Sequence, residues 1–128
     1  MRQLLFTLLF CLPLFVTAQQ NDNKHMAGAV PEVNGQVVFQ QTFAVKGKSK
    51  AEIYQVMNAF VKRLTQADNQ LSRTRIMEEN PQSGTISARF EEWMVFKKKI
   101  LYLDRTRFNY QLNVTCSDGK CKMAVTQI

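Results

Sequence analysis

The chain has 128 residues, is 45% hydrophobic and 21% charged, and carries a formal net charge of +7. That length makes one domain with enough core to fold but little surplus, and past the first residues no segment is apolar enough to enter a membrane. The basic excess would suit an anionic partner such as nucleic acid, lipid headgroups or an acidic polysaccharide, but it is scattered rather than massed, as on an ordinary soluble surface.

The first residues read as an address, not as fold. Arg2 gives a positive start, Leu4 to Val16 is almost wholly apolar, and Val16-Thr17-Ala18 fits the small-residue cleavage rule of a secretory signal peptide, residues 1–18. The apolar run falls short of the roughly 20 residues a membrane-spanning helix needs. Cys11 is preceded by Leu9 and Phe10, where lipid attachment requires small residues. Cleavage after Ala18 leaves about 110 residues, soluble and exported to the periplasm or beyond. Residues 19–29 are polar and small, a disordered lead-in that holds His25, the only histidine. A catalytic histidine must be held by its surroundings, and a tether does not hold it.

Residues 30–128 are expected to form one domain. Asn34-Gly35 marks a turn, and Gln36 to Val45 follows as a strand with Val37, Phe39, Phe43 and Val45 on one face. After the loop Lys46-Gly47-Lys48, Ser49 and Glu52 form a capping box that opens a helix. Ile53, Val56, Met57, Phe60, Val61 and Leu64 give it one apolar stripe, and Lys62 and Arg63 suit its carboxyl end. Ser72 to Glu78 reads as a short strand and Glu79 to Gly84 as a turn. Thr85 to Phe96 is a longer strand whose alternation changes phase: Ile86, Ala88 and Phe90 share a face that Trp93 and Val95 leave. A β-bulge near Glu91-Glu92 would return them to the core; the alternative is a strand covered on both faces. Lys97-Lys98-Lys99 is a basic connection and Ile100 to Leu103 an apolar patch.

Thr106 to Ile128 gives the clearest signal. Phe108, Tyr110, Leu112, Val114 and Cys116 alternate with Asn109, Gln111, Asn113 and Thr115, and Asp118-Gly119 is a two-residue hairpin turn. Ser117 then faces Lys120 and Cys116 faces Cys121 in a non-hydrogen-bonded pair, with Cα atoms about 4.5 Å apart. That spacing lies at the short end of disulfide geometry, and an exported protein keeps disulfides, so a Cys116–Cys121 bridge is expected. Strand, helix, then four strands predicts an α+β fold of two layers: an antiparallel sheet of about five strands with one amphipathic helix on one face.

Two stretches, Val30-Pro31-Glu32-Val33-Asn34-Gly35-Gln36-Val37-Val38-Phe39 and Gly47-Lys48-Ser49-Lys50-Ala51-Glu52-Ile53-Tyr54, together with Asp104-Arg105-Thr106 and the cysteine hairpin, resemble a family of exported bacterial domains of unknown function described as having a TBP-like fold. The resemblance implies strand, helix, four strands and a second helix, and brings no catalytic residues. Ile128 falls inside the last expected strand, so that C-terminal helix is expected to be absent. The fold name carries no expectation of nucleic-acid binding, because folds host unrelated functions. DNA binding on such a sheet takes apolar wedges, whereas the outward face of the last hairpin carries Asn109, Gln111, Asn113, Thr115, Lys122 and Thr126.

The residues show no nucleophile–histidine pair, glycine-rich phosphate loop or metal-ligand spacing, so no catalytic, cofactor or metal site is expected. The first reading is a non-enzymatic binding or envelope-associated module. Arg73, Arg75, Arg105, Arg107, Lys120 and Lys122 flank the polar sheet face, a candidate surface for an anionic glycan, a lipid headgroup or another envelope protein. Two alternatives stand beside it. One is a hydrolase of envelope material using the carboxylates Glu78-Glu79 and Glu91-Glu92, although neighbours on a strand point to opposite faces. The other is an assembly protein pairing through an open last strand.

Overall fold

The computed structural model describes residues 26–128. The expected signal peptide, His25 and most of the expected lead-in lie outside the described residues. Glu32–Val33 (β1) and Gln36–Val37 (β2) form a small antiparallel ribbon, because Asn34 and Gly35 both take positive φ (53° and 75°), as its two-residue turn demands. The N–H of Val38 then donates to the Pro31 carbonyl at 3.0 Å, and the chain breaks from one pairing to another. The single strand expected over 36–45 is therefore two pieces. The second, Phe39–Ala44 (β3), belongs to the main sheet.

Helix α1 spans Lys50–Thr65 and begins as its sequence dictates. The Glu52 N–H donates to Ser49 Oγ (3.3 Å) and the Ser49 N–H to Glu52 Oε2 (2.9 Å), satisfying two orphan donors. The strands Arg75–Asn80 (β4), Thr85–Lys99 (β5), Tyr102–Ser117 (β6) and Lys120–Thr126 (β7) follow. They form an antiparallel meander, and β3 closes it on the far side in the order β3-β7-β6-β5-β4. The fold is thus α+β, a five-stranded sheet with one helix and a separate two-stranded ribbon. Strands β3 and β4 sit at opposite edges, so α1, which joins them, lies across the sheet and touches β4, β5, β6 and β7.

The core fills that interface. Ile53, Tyr54 and Val61 of the helix meet Ile86, Ala88 and Phe90 of β5, Leu112, Val114 and Cys116 of β6, and Cys121 of β7. Phe90 and Tyr110, directly opposite in the register, stack with centroids 5.0 Å apart. The helical stripe is rotated from the expected one. Tyr54 is buried, whereas Val56 is 69% exposed. Period alone does not fix which flank of a stripe meets the sheet; the crossing angle of the helix does.

Four further expectations are corrected. The β5–β6 register runs unbroken through Glu91↔Asn109, Glu92↔Phe108 and Trp93↔Arg107, so no bulge lies at Glu91-Glu92 and Trp93 stays on the face away from the helix. The irregularities fall instead at Phe96 and, in β4, at Met77. Lys97-Lys98-Lys99 is not a connection: it ends β5, Ile100-Leu101 is the turn, and β6 starts at Tyr102. The last strand ends at Thr126 rather than containing Ile128, and it is interior; the open edges are β3 and β4.

Candidate anionic-ligand face

Alternation sorts the strands into two faces. With Phe90, Leu112 and Cys121 against the helix, the opposite face receives Ser87, Arg89, Glu91 and Trp93 from β5, Arg105 to Thr115 at odd numbers from β6, and Lys120, Lys122 and Thr126 from β7. Its centre is polar and closed upon itself. Ser87 Oγ donates to Asn113 Oδ1, Gln111 Nε2 donates to Ser87 Oγ and Asn113 Oδ1, each at 2.9 Å, and Asn113 Nδ2 donates to Thr126 Oγ1 at 3.2 Å. These groups satisfy one another, which leaves the charged ends of the face as its reactive parts.

The six candidate cations do not form one patch. Lys120 and Lys122 sit by the closing hairpin, paired with Ser117 and Thr115. Arg107 lies eight positions back along β6 from Thr115, about 27 Å away at strand rise. Arg73 lies in the turn before β4. Of the other three, Arg105 and Arg107 share the far end with Trp93, whereas Arg75 and Arg89 lie beside Gln111 in the middle of the face, about 13 Å short of Trp93 at strand rise. Arg75 is directly across from Arg89. Arg105 stacks over Trp93 with its guanidinium 3.9 Å from the ring centroid, and Arg107 approaches the same ring at 5.6 Å. Glu91, only 4% exposed, forms an ion pair with Arg107 at 3.3 Å. Among the described residues Arg75, Arg89 and Arg105 have no carboxylate within ion-pair distance. The far end thus sets two guanidiniums and one indole against a single carboxylate. Arg89 was visible in the alternation of Ile86, Ala88 and Phe90; Trp93 was lost to the expected bulge.

The carboxylate pairs stay apart. Glu78 and Glu79 face Ser87 and Ile86, while Glu91 lies four positions further along β5, about 14 Å away. Each has its own partner: Glu78 accepts from Thr85 Oγ1 at 3.4 Å, Glu79 pairs with Lys62 at 2.8 Å, Glu91 pairs with Arg107, and Glu92 accepts from Gln70 Nε2 at 2.5 Å. Cys116 and Cys121 are directly cross-strand, as the turn requires, and both are buried and present as free thiols. Burial, with the second thiol beside it, pushes Cys116 up to about 11. On the helix side an apolar cleft of about 470 Å³ opens between α1 and β3, lined by Phe43, Ile53, Val56, Met57 and Met123. Among the described residues no group of His, Cys, Asp and Glu is placed to hold a metal ion, and no helix is long and apolar enough to cross a membrane.

Residues 39–128 match the family model described as a domain of unknown function (DUF4468) with TBP-like fold. A crystal structure of a DUF4468 family protein from Bacteroides ovatus is 40% identical, with a TM-score of 0.71 over 85% of this chain. A TBP-like protein from Parabacteroides distasonis, 22% identical with a TM-score of 0.64 over 77% of this chain, shares the fold. The chain spans 63% and 58% of the lengths of these two proteins. No curated protein matches it. A model match over residues 39–128, a 40% identical relative and the same strand–helix–four-strand arrangement make the chain a member of the DUF4468 family.

Proposed function

We propose that the protein is an exported, non-enzymatic binding module of the cell envelope whose outer sheet face holds an anionic ligand at Arg105 and Arg107. The observation that carries this reading is the stacking of Arg105 and Arg107 on Trp93. A stacked guanidinium keeps its edge donors free while its stem is immobilised, so it can meet a carboxylate, sulfate or phosphate bidentately with little ordering left to lose. One carboxylate, Glu91, against these two guanidiniums leaves the site positive. Trp93 is held under its arginines, not standing free as a wedge between bases, which supports a ligand other than duplex DNA. Export is supported by the leader pattern. The absence of catalysis is supported by carboxylates that are separated and each tied to its own cation, amide or hydroxyl.

Retention on immobilised heparin, used as an acidic glycan probe, tests the site. Wild type should elute at higher salt than Arg105→Ala with Arg107→Ala, while Lys120→Ala with Lys122→Ala should shift elution less. Equal elution of all three removes the site. Amino-terminal sequencing of the exported product should begin at Gln19.

A further inference from the structure

Strands β5 and β6 outrun their neighbours. β7 pairs with β6 only from Gln111 onward, and the last backbone bond on the other side runs from the Trp93 N–H to the Asn69 carbonyl. From there to the turn, β5 and β6 have only each other, so a two-stranded ribbon projects about 20 Å beyond the sheet. Its end is apolar. Ile100 and Leu101 are 101% and 98% exposed, and Phe96, Tyr102 and Leu103 are exposed behind them.

Turn chemistry does not account for those residues. Two-residue hairpins favour glycine, asparagine and aspartate, which enter positive φ easily. Ile100 and Leu101 bring no such freedom, and neither has positive φ. Directly behind them stand Lys97, Lys98 and Lys99, paired with Asp104, Leu103 and Tyr102. An apolar point, an amphipathic tyrosine and a collar of cations are what an anionic lipid surface takes up. A second copy fits poorly. A symmetric contact through this tip would set three lysines against three lysines, and so small a tip falls well short of the roughly 1,200 Å² a stable interface buries.

We infer that the β5–β6 tip is a membrane-contact element: Ile100 and Leu101 dip into the headgroup–acyl boundary of a bilayer containing anionic phospholipid, while Lys97, Lys98 and Lys99 rest on its headgroups. This goes beyond the arginine site and does not depend on it.

The test is co-sedimentation with phosphatidylcholine vesicles with and without phosphatidylglycerol. Wild type, Ile100→Ser with Leu101→Ser, and Lys97→Gln with Lys98→Gln and Lys99→Gln are prepared alike, so any contribution of the leader is common to all. Wild type should bind the anionic vesicles at least about tenfold more tightly than the serine variant. The glutamine variant should lose most of the preference for phosphatidylglycerol together with its salt dependence. A Leu101→Trp variant, read against wild type, should gain blue-shifted emission on anionic vesicles alone. Heparin retention should be unchanged in the serine variant, which separates this tip from the arginine cluster. Serine and wild-type proteins that sediment equally would overturn the inference. So would a dimer that the serine variant abolishes while neither protein binds vesicles.

Discussion

Asp118, in the turn of the closing hairpin, accepts a 2.8 Å hydrogen bond from the backbone N–H of Lys50, the first residue of the helix. The Gly119 N–H next to it donates to the Lys48 carbonyl at 2.9 Å, and the Val45 N–H donates to the Gly119 carbonyl at 2.8 Å. The turn at the end of the chain thereby serves as a second cap for the helix near its beginning. Its carboxylate also sits at the positive end of the helix dipole.

Asp118→Ala should therefore cost about 1–2 kcal/mol in urea unfolding, a charged hydrogen bond and a dipole contact together. Asp118→Asn keeps an acceptor in the turn and should cost less. Equal losses in the two variants would show that the charge does not matter here.

Gly84 ends the β4–β5 turn with φ of 76°, and its carbonyl accepts from the Cys116 N–H at 2.7 Å. A Cβ there would run into the Cys116 carbonyl and the Lys50 side chain. Gly84→Ala should lose about 2–4 kcal/mol, since it adds backbone strain to a collision that a flexible side chain cannot relieve. A loss no larger than the common cost of alanine at positive φ, about 1 kcal/mol, would mean that β6 moves aside.

In material exported by the producing cell, Cys116 and Cys121 should be joined, with a mass lower by the two thiol hydrogens, which pass to the oxidant of that compartment. Reduced protein should resist alkylation at about pH 8 while folded, because burial raises both thiols, Cys116 to about 11, and only the thiolate reacts. Reduction should lower stability by no more than about 2 kcal/mol, as the loop is short and the turn already closes it. Two alkylatable thiols in the exported form would refute the bridge.

The hydrogen bond from Lys62, with another from Asn58, holds the Glu79 carboxyl below its ordinary value of 4.5. A lowered folded value contributes stability that is complete above the ordinary one and lost as pH falls through the lowered one. The pair is part-exposed, so Lys62→Gln should cost under about 1 kcal/mol at neutral pH. The gap between wild type and variant should narrow as pH falls from about 6 to about 3. A constant gap would assign the cost to packing of the lysine stem.

What the sequence disclosed follows from how local each signal is. The capping box at Ser49 and Glu52 and the turn at Asp118-Gly119 are chemistry within a few residues, and both stand as read. The facing of Cys116 and Cys121 follows from that turn by counting. The partner of Phe39–Ala44 could not be counted, because it lies some eighty positions away in β7. Tyr54 and Val56 differ in burial through the placement of the helix on the sheet, which no periodicity contains. The arginine site was half legible: Arg105 and Arg107 were named, but the register that puts Trp93 beside Arg107 is set by tertiary pairing, and one assumed bulge turned Trp93 to the other face.

Early-made β3 has a single neighbour in the sheet, and that neighbour is β7, the last of the sheet's five strands to be synthesised. Until Lys120–Thr126 emerges, Phe39 and Phe43 have no ladder to join, and the helix lacks the Asp118 carboxylate at its start. Such distant pairing slows closure. The sheet therefore completes only once β7 has been made, and until then the earlier strands stay pliable.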